Sequence, residues 1–146
     1  MKPAIVAAVL FFSVNVSAGE PIANPGLLDN KIVSCFLAKA KEVNCAERIL
    51  SPRILPGNDQ LIPIAKQIDE LVNRWLSRDR IFAVHPIRTA KAGDVFRKTT
   101  FLLEDSSGNL MVFNYATLKR LGKWYVFSFN VNSNSEAIKA VFESAQ

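Results

Sequence analysis

The sequence predicts an α+β fold, in which N-terminal helices pack on a four-stranded antiparallel meander and a short helix ends the chain. Three observations carry this expectation. Apolar residues recur at helical spacing between about 60 and 77. From about Arg80 the composition turns to Phe, Val, Thr, Tyr and Ile, in runs of strand length. The gaps between those runs are short, and each holds a glycine.

The first element is an export signal. Met1-Lys2-Pro3 supplies a positive start, and Ala4 to Val16 is apolar except for Ser13 and Asn15. Val16-Ser17-Ala18-Gly19 then places small residues where a signal peptidase reads. The expectation is a signal peptide over 1–18, cut after Ala18, and a periplasmic or secreted protein. The apolar run is shorter than the ~20 residues of a membrane helix. No later segment is long and apolar enough, so no membrane span is expected in the mature chain. No cysteine follows the cut, which argues against lipid attachment. Removing 18 of 146 residues leaves 128, the length of one domain with a real core. Loss of Lys2 lowers the formal net charge from +5 to +4. That surplus is mild, and with export it gives no reason to expect a nucleic-acid partner.

Residues 19–26 (GEPIANPG) read as a loose leader, and 27–146 as a single α+β domain. Leu27 to Val43 has helical spacing, with Leu28, Ile32, Val33, Phe36, Leu37 and Ala40 in one stripe. Cys35 and Cys45 are the two cysteines of the chain, and an even count in an exported protein predicts a disulfide. In one continuous helix their Cα atoms would stand ~15 Å apart. A disulfide allows at most ~7 Å. The helix must therefore stop and the chain double back, with Asn44 the candidate turning residue.

Residues 50–59 (LSPRILPGND) hold two prolines and a Pro-Gly pair, so a loop is expected. The clearest helix follows, roughly Gln60 to Ser77, with apolar residues at 61, 64, 65, 68, 71, 72, 75 and 76. Asn58 or Asp59 is its candidate cap. Asp69, Glu70 and Arg74 fall off the stripe and are assigned to solvent. The four strands are expected at 81–91, 94–104, 109–119 and 123–132. Pro86 cannot donate to a ladder, so the first strand must be an edge or carry a bulge. Period two places Tyr125, Phe127, Phe129 and Val131 on the core face of the last strand, with Met111, Phe113 and Tyr115 as candidates to join them and Leu110, Val112 and Leu118 competing for that face. A helix over about Ser135 to Ser144, capped by Ser133 or Ser135, shows Ile138, Val141 and Phe142 on one face.

Helix first, then an antiparallel sheet ending in Gly122-Lys123-Trp124-Tyr125-Val126, resembles the cystatin-like and nuclear transport factor 2-like α+β folds. The resemblance covers roughly residues 60–132. It implies a sheet curved around the long helix, and folds of this kind host isomerases, dehydratases, ligand carriers and interaction modules.

The chemistry-bearing residues are sparse. His85 is the single histidine and, beside Pro86, is assigned to the surface. The carboxylate pairs Asp69-Glu70 and Glu104-Asp105 read as solvated, not as acids facing each other across a cleft. No nucleophile elbow, phosphate loop or metal-ligand spacing occurs. No catalytic residue, metal or cofactor is therefore assigned. Tyr115 and Trp75 are candidate pocket residues between the long helix and the sheet, with a core aromatic as the alternative reading of each. Arg97, Lys98, Lys119, Arg120, Lys123 and Trp124 form a candidate interaction patch. The resulting expectation is a non-enzymatic exported binding protein of inhibitor, immunity or envelope-accessory type, with an envelope or extracellular protein as partner. The alternative is a small-ligand carrier or isomerase-like enzyme using the Tyr115 pocket.

Overall fold

In the computed structural model, the structure describes residues 19–39 and 41–144. The signal peptide expected over 1–18 lies outside the described residues. The elements are α1 (Pro25–Leu37), a π-helical turn (Ala46–Leu50), a 3-10 turn (Ser51–Arg53), α2 (Leu61–Leu76), β1 (Ile81–Ala92), β2 (Phe96–Asp105), β3 (Leu110–Arg120), β4 (Lys123–Asn132) and α3 (Ser135–Ser144). This is the α+β architecture that the sequence predicts.

Asn24 begins α1 by accepting the Gly26 N–H at 2.9 Å, and Pro25 supplies a preset φ at the first position. The leader expected to be loose is thus part of the fold. Ile22 is buried, and its N–H donates to the Trp124 carbonyl at 2.8 Å. The helix ends at Leu37, six residues before the predicted Val43, with Ala38 already extended. The disulfide explains the early stop. Cys35 and Cys45 are bonded with Cα atoms 5.8 Å apart, so the intervening chain must spend its length on returning. Asn44 is not the left-handed turning residue. Instead its carbonyl accepts the Arg48 N–H at 3.0 Å at the start of the π-helical turn.

Helix α2 holds that returning segment. Its stripe packs Ala65, Ile68, Val72 and Leu76 into the core, whereas Leu71 stays exposed. Asp69, expected in water, is buried. Its two oxygens accept the N–H groups of Ala46 at 2.9 Å and Glu47 at 2.8 Å. One turn later the Asn73 amide both accepts from Val43 N–H at 2.7 Å and donates to its carbonyl at 2.8 Å. Spacing i, i+4 puts both side chains on one face, where they meet backbone groups that hydrophobic periodicity does not count. Burial raises the Asp69 pKa from 3.8 to about 6, outweighing the lowering by the Glu47 and Ala46 amides. The cap of α2 also differs from expectation: neither Asn58 nor Asp59 caps through its side chain, and the two carbonyls accept from Leu61 and Ile62.

The sheet is a meander in the order β1-β2-β3-β4, antiparallel throughout. Its core face presents Phe101, Leu103, Met111, Phe113, Tyr115 and Phe129, with α1 beside β1 and α2 beside β4. Phe36 of α1 meets Phe113 edge-on at 5.1 Å between ring centroids. Pro86 satisfies both conditions derived for it. It lies on an edge strand, and the register slips between Pro86 and Arg88.

A register irregularity between β3 and β4 changes the face of β4. Ala116 pairs with Ser128 but Thr117 pairs with Val126, so Phe127 has no opposite residue. Strict alternation is broken by that bulge. Before it Trp124 and Val126 pack toward the core, and after it Phe129 and Val131 do. Phe127, assigned to the core by period two, is 42% exposed, and Tyr125 is outside the core set. Leu121 and Gly122 both take positive φ, 51° and 75°, as a two-residue hairpin between β3 and β4 requires.

The other turn corrects another expectation. Asp105 is buried, not solvated. Its carboxylate accepts the N–H groups of Ser107 at 2.9 Å and Asn109 at 2.8 Å and the Asn109 amide at 2.9 Å, building the β2–β3 turn. Helix α3 lies over the opposite sheet face and buries none of its residues. Its cap is Asn134, whose side chain accepts the Glu136 N–H at 2.8 Å, rather than Ser133 or Ser135.

Candidate functional site

Two regions hold the sequence-selected residues: a polar network at the junction of α1 and the sheet, and the β3–β4 hairpin end. The network begins with alternation on β2. Thr99, Phe101 and Leu103 face the core, so Arg97 two positions earlier faces the helices as well. Asp29, one position past buried Leu28 on α1, meets it there. Arg97 Nη1 donates to Asp29 Oδ1 at 3.2 Å and to the Pro25 carbonyl at 3.4 Å, while Nη2 donates to Asp29 Oδ2. The Tyr115 hydroxyl also donates to Asp29.

Each group has its charge or proton held in place. The hydrogen bond and charge of Asp29 raise the Arg97 pKa against the cost of burial. Burial, followed by the hydrogen bond and charge of Asp29, pushes the Tyr115 hydroxyl well above its ordinary range. Tyr115 is 1% exposed, and its ring lies 6.4 Å from that of Phe101, stacked. A carboxylate does converge on Tyr115, yet the hydroxyl is spent on it and closed to a ligand. The network ties α1 to β2 and β3 across 68 and 86 residues of sequence. Asp29 escaped the sequence reading. Its one signal was a carboxylate adjoining an apolar stripe.

Trp75 does not join Tyr115 in a pocket. It packs, partly buried, against the hydrophobic core from α2. His85 is exposed on β1 as expected, with Nε2 2.9 Å from a Glu104 carboxylate oxygen of the neighbouring strand. Thus Glu104 pairs across the sheet rather than acting with Asp105.

The basic patch divides into three places. Arg97 faces inward and is paired. Lys98, its neighbour on β2, points to the opposite sheet face, beneath α3. Lys119, Arg120, Lys123 and Trp124 remain at the hairpin end but on two faces, Lys119 opposite Trp124 on the core side and Arg120 opposite Lys123 on the other. The Lys119 ammonium lies 5.9 Å from the Trp124 ring centroid and 3.8 Å from an Asp94 oxygen. Leu121, at the tip, is 98% exposed. Beside it Leu55, Pro56, Arg120, Lys123 and Tyr125 border a depression of about 460 Å³. Among the described residues no group of three or more His, Cys, Asp or Glu is placed to hold a metal, and no helix is long and apolar enough to cross a membrane. No protein-family model, curated protein sequence or solved structure matches the chain.

Proposed function

We propose that this chain is an exported, non-enzymatic binding protein of inhibitor, immunity or envelope-accessory type, and that it engages an acidic partner protein through the hairpin end of its sheet. One observation carries the reading. The residue best suited to act on a ligand, Tyr115, is sealed in the core with its proton committed to Asp29. An enzyme or carrier of the Tyr115 type would need that hydroxyl open to a cavity. At the hairpin end, by contrast, the exposed Leu121, two cationic side chains, Arg120 and Lys123, and the partly buried Tyr125 border one depression. Aromatic and basic side chains around an apolar anchor are the composition of protein interfaces. The disulfide is compatible with an oxidising compartment.

The test is affinity capture from the native envelope and secreted fractions by the mature protein, run beside a Leu121→Asp/Lys123→Glu variant. A protein retained by the wild type and lost by the variant supports the reading. Recovery of a copurifying small molecule with no variant-sensitive protein overturns it. Export has its own readout, since the N-terminal residue of the processed protein should be Gly19.

A further inference from the structure

The sheet face away from the core carries an unassigned groove of about 530 Å³, between the strands and α3. We infer that this groove is a binding site for an amphiphilic organic carboxylate, an anionic head on an apolar stem. The inference does not rest on the hairpin-end interface, which uses other residues.

The floor follows from the register. Arg88 pairs with Thr100, Thr100 with Asn114, and Asn114 with Asn130, so four polar side chains form one row across all four strands. Paired residues share a face, and neighbouring strands lie ~4.8 Å apart, so the row is roughly 14 Å long. Lys98 stands two residues before Thr100 on the same face, diagonal to Arg88. Diagonal positions are ~7–8 Å apart, close enough for both cations to hold one carboxylate between them.

The charges are unbalanced. No acidic side chain lines the groove among the described residues, and neither Arg88 nor Lys98 has an ion-pair partner there. The Thr100, Asn114 and Asn130 side chains likewise make no hydrogen bond among the described residues. Two like charges placed diagonally repel, and an anion seated between them removes that cost.

The stem is argued from the roof. Helix α3 presents Ala137, Ala140 and Val141 to the groove, and Val112 lies below them on β3. Yet α3 buries none of its residues, so its apolar face is left half covered by the sheet alone. A stem running along the row would complete that burial, at ~25 cal/mol for each Å² removed from water. The volume is within the range of small-molecule sites, roughly 300–1,000 Å³.

The test is a nuclear magnetic resonance titration of the mature, disulfide-bonded protein with decanoate, decanol and acetate, each kept monomeric. Decanoate is expected to give saturable shifts at the Thr100, Asn114 and Val141 amides. Acetate and decanol should each bind roughly tenfold more weakly or not at all, since each lacks half of the ligand. An Arg88→Ala/Lys98→Ala variant should weaken decanoate by about tenfold or more, and Lys119→Ala/Lys123→Ala should not. Arg88, Lys98 and Lys123 are exposed and Lys119 is half-buried, and the amide spectra of both variants report whether the fold is kept. Equal binding of decanol and decanoate, an undiminished affinity in a folded Arg88→Ala/Lys98→Ala variant, or shifts confined to other faces would overturn the inference.

Discussion

Replacing Asp69 with Asn should remove a pH dependence of stability that originates in the clamp beside the disulfide. In the folded protein burial holds the Asp69 pKa at about 6, against 3.8 ordinarily. The folded state therefore binds the proton more tightly than the unfolded chain does. The stabilisation is complete below the unfolded pKa of 3.8 and is lost as the pH rises through about 6. A separation of about two units is worth about 3 kcal/mol in the limit. Between about pH 4.5 and about pH 7.5 the portion released is about 2 kcal/mol. Asn also changes the bonds to Ala46 and Glu47, but that offset does not titrate. Urea unfolding of both proteins at the two pH values isolates the effect. The advantage of wild type over variant should shrink by about 2 kcal/mol from the acidic to the neutral condition. A difference that is constant with pH, or that grows toward neutrality, would refute the reasoning.

Cys35→Ser/Cys45→Ser should lower stability by about 3 kcal/mol, because the short loop is no longer closed in the unfolded chain, and unfolding in denaturant reads the loss. Phe129→Ala should cost about 3–5 kcal/mol, whereas Phe127→Ser should stay within about 0.5 kcal/mol. Reversal of that order in the same assay would remove the bulge from β4. Tyr115→Phe should cost about 1–3 kcal/mol through the lost hydrogen bond to a charged acceptor, while capture of a partner at the hairpin end is unchanged. The buried Thr99 hydroxyl has no partner among the described residues, so Thr99→Val should be neutral or stabilising by about 1 kcal/mol in thermal unfolding.

Local rules reached most of the fold because most of it is locally specified. Short glycine-containing gaps can join neighbouring strands only as hairpins, and Pro86 is excluded from a central ladder wherever the strand goes. The stripe on α2 is likewise a property of one segment. The misses share a different cause. Asp69 and Asp105 read as solvated because carboxylates usually are, but each is buried and offsets part of the burial cost by accepting backbone N–H groups. The partners of Asp69 lie 22 and 23 residues away, beyond any periodic signal. Phe127 failed for a related reason. Alternation holds only while the ladder is unbroken, and a bulge depends on two strands, not one.

The candidate site divides along the same line. The individual basic residues, Trp124 and Tyr115 were visible by type. That Arg97 and Lys98 point to opposite sides of the sheet follows from strand alternation, but which of the two faces the core did not, since it depends on where the helices pack. The sequence by itself determined the order of elements, the tight turns, the cysteine pair and the need for the chain to reverse between Cys35 and Cys45, because these follow from bond geometry and neighbouring residues. Only the tertiary structure decided that Asp29 meets Tyr115 and Arg97, that Asp69 clamps the returning segment, and that Arg88, Thr100, Asn114 and Asn130 form one row. The first two join parts of the chain far apart in sequence, and the row depends on the exact register of three successive ladders, bulges included.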